Sequence, residues 1–188
     1  MKQISIAAFF ILMAAFNCNA QDNDAMMKAW QAFMTPGEQH KMLAKSSGTW
    51  NEEITMWWAE GAPAQKNTSI AENKMILNGL YQQSTHKGNF NGMPFEGIST
   101  VGYDNARKIY ISTWIDNMGT SISYMEGNWD ADSKMLVMRG KQTDPMTGGI
   151  MDVRETLKFI DDKTQTMEMF ETKNGKERKT MEIKFTRK

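Results

Sequence analysis

From residue 48 onward, apolar and polar positions alternate with a period of two, in runs of seven to ten residues separated by turn-forming pairs. In TMEIKFT, Met181, Ile183 and Phe185 point one way, and Glu182 and Lys184 point the other. In DVRETLKF, Val153, Glu155, Leu157 and Phe159 share a face, which makes Glu155 a carboxylate on an otherwise apolar side. In KIYISTWID, Ile109, Ile111, Thr113 and Ile115 form one face, while Tyr110, Ser112, Trp114 and Asp116 form the other. The pattern predicts about ten strands, near 49–58, 68–77, 79–88, 95–103, 108–116, 120–128, 135–142, 150–159, 165–172 and 177–186.

The turns between these runs carry their own chemistry. Asn78-Gly79 and Asn174-Gly175 tolerate positive φ and predict tight hairpins, and Asp144-Pro145 marks a longer turn. YDNARK at 103–108 and WDADSK at 129–134 follow one formula of aromatic, aspartate, polar residues and a cation, with Asp161-Asp162-Lys163 as a looser copy. Each aspartate can accept a bond from a backbone N–H two residues on, which starts a reversal. Successive antiparallel hairpins of similar length need similar turns, so the repetition reads as a meander. Short connections leave no long crossover. A meander this long hides its edges by closing on itself, so the expected fold is an all-β antiparallel barrel, with a two-sheet sandwich as the competing arrangement.

Upstream of residue 48 the period becomes helical. Ala25, Met26, Ala29, Trp30 and Phe33 recur at helical spacing over 24–46; Thr35 reads as an N-cap and Pro36 as the first residue of a restarted helix. The first twenty residues differ again. Lys2 precedes an apolar run from Ile4 to Phe16, and small residues stand at Cys18 and Ala20. This predicts a signal peptide cleaved before Gln21 and an exported, periplasmic or secreted protein; the run is too short for a transmembrane segment. The alternative is a lipid anchor through Cys18, although Phe16-Asn17 stand where such anchors normally carry a small residue. The expected organisation is a signal peptide over 1–20, a helical segment over 21–47 and a barrel over 48–188. After cleavage no cysteine remains for a disulfide, a thiol nucleophile or a thiolate metal site.

Composition narrows the chemistry. Lys+Arg and Asp+Glu both number 22 in 188 residues, a balance that does not suit nucleic acid. His40 and His86 share no ligand spacing, so no metal site is expected. His86 could serve a haem as axial ligand, but no other haem-site signal accompanies it, and no cofactor is expected. There is no G-x-S-x-G and no phosphate-cradling glycine loop. Glu52 and Glu53 point to opposite faces of a strand and Asp161-Asp162 lie in a turn, so neither pair makes an acid–base dyad unaided. The chain has 18 methionines, with Met167 and Met169 two apart on one strand face. Thioethers can bind Cu(I), but their scatter through all elements suits flexible filling of a core or an adaptable apolar pocket.

Two longer resemblances complete the reading. Gly48-Thr49-Trp50 at the start of the first strand, with Arg187 near the end of the last, is similar to the signature of lipocalin-type barrels. There a tryptophan plugs one end and an arginine lies across it. PFEGISTVGYDN, STWIDNMGT, GKQTDPMTG and MEIKFTRK, with GEQHKMLAKSSGTW, resemble a bacterial secreted family known as domain of unknown function 1579, over residues 35–188. That resemblance implies a lipocalin-like, calycin-type barrel and brings no activity or catalytic residues. The expected role is binding a small, largely apolar molecule in a cavity lined by Tyr110, Trp114 and Tyr124, with Glu155 as polar anchor. Tyr124 lies across the turn at 116–119 from Trp114 and approaches it if the register allows. Two alternatives stand beside this: an enzyme using a barrel carboxylate such as Glu155, and a filled barrel that binds another protein.

Overall fold

A computed structural model describes residues 22–188; the expected signal peptide and the Cys18 anchor lie outside the described residues. The first element, α1, spans 22–34 and is exposed along its length. The chain divides into compact units between Thr35 and Pro36, so the second helix, α2 (Glu38–Ala44), belongs with the barrel rather than with a separate helical segment. The N-cap of α2 is Gly37, not Thr35. The buried His40 explains the shift, because its Nδ1 accepts the Gly37 N–H at 2.9 Å and fixes where the helix starts.

Ten strands follow: β1 (Gly48–Met56), β2 (Gln65–Ile76), β3 (Tyr81–Phe90), β4 (Met93–Asp104), β5 (Ile109–Asp116), β6 (Ser123–Asp130), β7 (Met135–Thr143), β8 (Ile150–Phe159), β9 (Thr164–Lys173) and β10 (Lys176–Arg187). Each pairs antiparallel with its sequence neighbours, and β1 pairs with β10, so the meander closes into a barrel and no edge is left. The sandwich arrangement is thereby excluded. Alternate residues of every strand point inward, and the cross-strand register carries one inner face around the barrel: Trp50, Glu52 and Ile54 of β1 stand opposite Ala71, Ser69 and Asn67 of β2.

The two ends of the barrel differ. At the end where β1 begins, α2 packs on β2, β3 and β4. Leu43 enters a core cluster with Tyr110, Met125, Leu136, Met138 and Val153. Trp50 is fully buried beneath the turn that follows α2, and its indole N–H donates to the Ser46 carbonyl at 2.9 Å. The Arg187 guanidinium lies 4.2 Å above the Trp50 ring, as the lipocalin-type signature implies. It donates to the carbonyls of Ser47 and Lys45 at 2.6 Å each, and to that of Asp162 at 2.8 Å. Asn73 and Gln82 donate to the carbonyls of Ser46 and Leu43 from inside the barrel.

All three copies of the aspartate turn lie at this plugged end, joining β4 to β5, β6 to β7 and β8 to β9. Asp104 accepts the N–H groups of Ala106 and Arg107, Asp130 those of Asp132 and Ser133, and Asp161 that of Lys163. Lys108 and Lys134 close the first two turns with φ near +60° and +54°. The repeated sequence formula is therefore one turn geometry used along one rim.

Candidate functional site

The inner face of the far half of the barrel concentrates polar and aromatic groups. Glu52 follows Trp50 by two residues on β1, so the strand's pleat aims it inward below the plug. Ser69 stands opposite it on β2 and donates its hydroxyl to one carboxylate oxygen. The other oxygen meets Nδ1 of His86, on β3, at 2.8 Å. Glu52 is buried and His86 partly so, with side chains 1% and 13% exposed. A carboxylate only accepts, so the Nδ1 position carries the proton and Nε2 faces away from Glu52. Nothing among the described residues bonds Nε2.

Trp114 lies against this pair. Its ring meets His86 edge-on at 5.0 Å between centroids and stacks toward Phe95 at 6.3 Å, and Phe95 in turn packs on Phe90 at 4.7 Å. Gly97 makes this arrangement possible, because a methyl there would sit 2.5 Å from the Trp114 ring. The indole N–H is taken by Asp116 at 2.6 Å, so Trp114 offers the interior its ring face.

Glu155 is delivered by β8, between Met138 of β7 and Met169 of β9 in the register. It lies deep in the protein and burial pushes its carboxyl up to about 7, with the charge of His86 pulling weakly the other way. It makes no hydrogen bond or ion pair among the described residues. Despite its depth it keeps accessible surface, as do His86, Trp114, Met167 and Met169.

The four residues expected to line one cavity are not brought together. Trp114 and Glu155 both face the interior. Tyr110 also faces inward but is packed in the core under α2, 2% exposed, its hydroxyl 3.8 Å from the Met42 sulfur. Burial raises its pKa to about 12. Its ring borders a groove of about 360 Å³ between α2 and the barrel rim, with Met42, Tyr103 and Trp129. Tyr124 is a correction: it lies on the outer face, 46% exposed. The register places Ser123 opposite Trp114 and Tyr124 opposite Thr113, so parity turns Tyr124 outward. There its hydroxyl bonds Glu126, which Arg107 holds with two 2.7 Å bonds and draws down to about 2.

Glu52, Ser69 and His86 were not anticipated as a unit. The period of two from Trp50 already implied that Glu52 points inward. What the sequence lacked was the β2–β3 register that carries His86 to it. Among the described residues no three His, Cys, Asp or Glu side chains form a group able to hold a metal, and no helix is long and apolar enough to cross a membrane.

Comparison with known proteins extends the fold. The barrel is similar to the crystal structure of Rv2717c from M. tuberculosis, with a TM-score of 0.58 and 9% sequence identity, over 82% of this chain and 99% of that one. At that identity the likeness shows a shared fold alone. No curated protein matches the chain at a significant level. The sequence profile of the family described as "Protein of unknown function (DUF1579)" matches residues 35–187. That span contains α2, all ten strands and both halves of the Trp50–Arg187 plug, and the chain belongs to this family.

Proposed function

We propose that the barrel binds a small, largely apolar molecule bearing one polar group, with that group placed near Glu155. The observation that carries this reading is Glu155 itself, a deep carboxyl on the inner face with no protein partner that still keeps accessible surface. A buried carboxyl without a partner opposes folding, and strongly shifted groups in enclosed sites cluster where ligands bind. The surrounding Leu157, Met167 and Met169 offer apolar, adaptable walls. The far rim is the route inward, since Trp58, Met118, Ile122 and Met146 stand exposed on its loops while α2 and Trp50 occupy the other end. Export, expected from residues 1–20, would make such a barrel a carrier of an apolar molecule through an aqueous compartment.

A second reading is acid–base catalysis on the same guest. The observation favouring it is the Glu52–His86 pair, a carboxylate-oriented imidazole facing the same interior as Glu155. Titration of fluorescent fatty-acid-like and retinoid-like probes against wild type and Trp114→Ala tests binding. Micromolar affinity that weakens in the variant is expected. Absence of binding by every probe, with no ligand found by native mass spectrometry of protein purified from its own host, would overturn it. Turnover of a bound compound that is lost in His86→Gln with binding retained would select the catalytic reading.

A further inference from the structure

Resting on the reading of the barrel as a ligand site, we propose that its guest is an amphipathic amine whose cationic head sits among Glu155, Nε2 of His86 and the face of Trp114. The argument begins from which interior groups remain uncommitted. Glu52 already accepts from Ser69 and His86. When the His86 ring is uncharged, its single proton sits on Nδ1 and is directed at Glu52, and Nε2 then presents a lone pair. The Trp114 N–H is spent on Asp116, leaving an electron-rich ring face. The Glu155 oxygens have no donor. The Oδ1 of Asn73, also on the inner face, is buried and likewise lacks a donor. Each of these is an acceptor, and an ammonium group is a donor that accepts nothing.

Charge points the same way. Between the plug and the far rim, the inner face carries Glu52, Glu155 and Asp116 against the single imidazole of His86. Glu171 and Arg178, nearer the rim, are bonded to each other, and Arg187 is committed to the plug. A fatty acid would add a carboxylate to this set, whereas an ammonium compensates it in a site where burial strengthens the attraction. Trp114 and the adjoining Phe95 and Phe90 supply the aromatic wall that favours a cation over its ring face.

The raised pKa of Glu155 makes this recognition pH-dependent. The strands flanking Glu155 face it with Met138 and Met169, which do not titrate. Across the barrel, the groups that do are His86 and its partner Glu52. Lowering the pH protonates Glu155, and the loss of its charge weakens a bound cation.

The test compares three ligands with one tail: dodecylammonium, dodecanol and dodecanoate, each below its micelle concentration, by isothermal titration calorimetry on the wild-type chain and on Glu155→Gln. Dodecylammonium is expected to bind about tenfold tighter than dodecanol or more, as a charge-assisted bond in an enclosed site provides. In Glu155→Gln that preference should fall to within about threefold. In the wild type, affinity for the amine should rise from about pH 5.5 to about pH 8 as Glu155 ionises, an arm that needs no variant. Dodecanoate or dodecanol binding as tightly as the amine, or a preference that survives Glu155→Gln, would overturn the proposal and leave the carrier reading standing. No binding by any of the three would overturn both.

Discussion

A carboxyl that folding buries without a partner governs how this protein responds to pH. Glu155 titrates near its ordinary value of 4.5 in the unfolded chain and at about 7 in the barrel. Below pH 4.5 both states hold the proton and no penalty exists. Between about 4.5 and 7 the unfolded chain loses its proton while the folded one keeps it, so stability falls as pH rises. Above 7 the penalty is complete and constant. A shift of this size corresponds to about 3 kcal/mol. Glu155→Gln keeps the shape and removes the charge, so it should be about as stable as wild type near pH 4 and more stable by about 3 kcal/mol at pH 8. Urea denaturation of both proteins at the two pH values measures it. The comparison cancels exposed carboxyls that titrate in both, such as Glu126. Equal stability at pH 8 would mean that Glu155 has a partner in solution. That Glu155 faces inward was legible from one strand, because a period of two needs no knowledge of neighbours. That Tyr124 faces outward was not, because it depended on whether Ser123 or Tyr124 lands opposite Trp114.

Pairing between strands decides what alternation within a strand cannot. All ten runs read from the sequence are strands, and six of the nine turns between them fall where Asn78-Gly79, Asn174-Gly175, Asp144-Pro145 and the repeated aspartates place them. These signals are local, which is why they could be read. The meeting of Glu52 with His86 is not local, since 34 residues and two strand pairings separate them. Helix α2 shows the same limit, because the buried His40 ring moves its start from Thr35 to Gly37. The β6–β7 pair carries a further constraint. A methyl on Gly127 would run into the Val137 carbonyl, and one on Gly140 into the carbonyl of Tyr124. The two backbones approach more closely there than any side chain allows. Gly127→Ala is therefore expected to destabilise the barrel by about 2 kcal/mol or more, as overpacking against rigid backbone does. Gly149→Ala, whose methyl meets only the Thr147 hydroxyl at 3.2 Å, serves as control. Thermal unfolding of both variants tests this. A Gly127→Ala protein melting with wild type would show that β6 and β7 are free to separate at this point.

At the scale of the whole barrel, closure rests on joining the first strand to the last. The β1–β10 seam places Trp50 directly opposite Arg187 in the register, and their side chains meet over the plugged end. The contact does more than cover an indole. Arg187 takes the carbonyls of Lys45 and Ser47 at the end of α2 and that of Asp162 in the β8–β9 turn, so one guanidinium ties together the helix, the seam and a turn. Trp50→Ala removes a fully buried ring and should cost about 3–5 kcal/mol. Arg187→Ala leaves three carbonyls to solvent or to strained partners and should cost about 2–3 kcal/mol, the scale of lost bonds to a charged group. The two losses should not add. With the ring gone, the guanidinium loses the surface it rests on, so the double variant should fall short of the sum by about 1–2 kcal/mol. Urea unfolding of the four proteins in a double-mutant cycle gives this coupling directly. Arg187→Lys separates charge from shape, since lysine keeps the cation but cannot reach three carbonyls while lying flat on the ring, and it should recover less than half of the loss. Additive losses, or full recovery by lysine, would show that the seam closes through its backbone ladder alone and that the plug merely sits upon it.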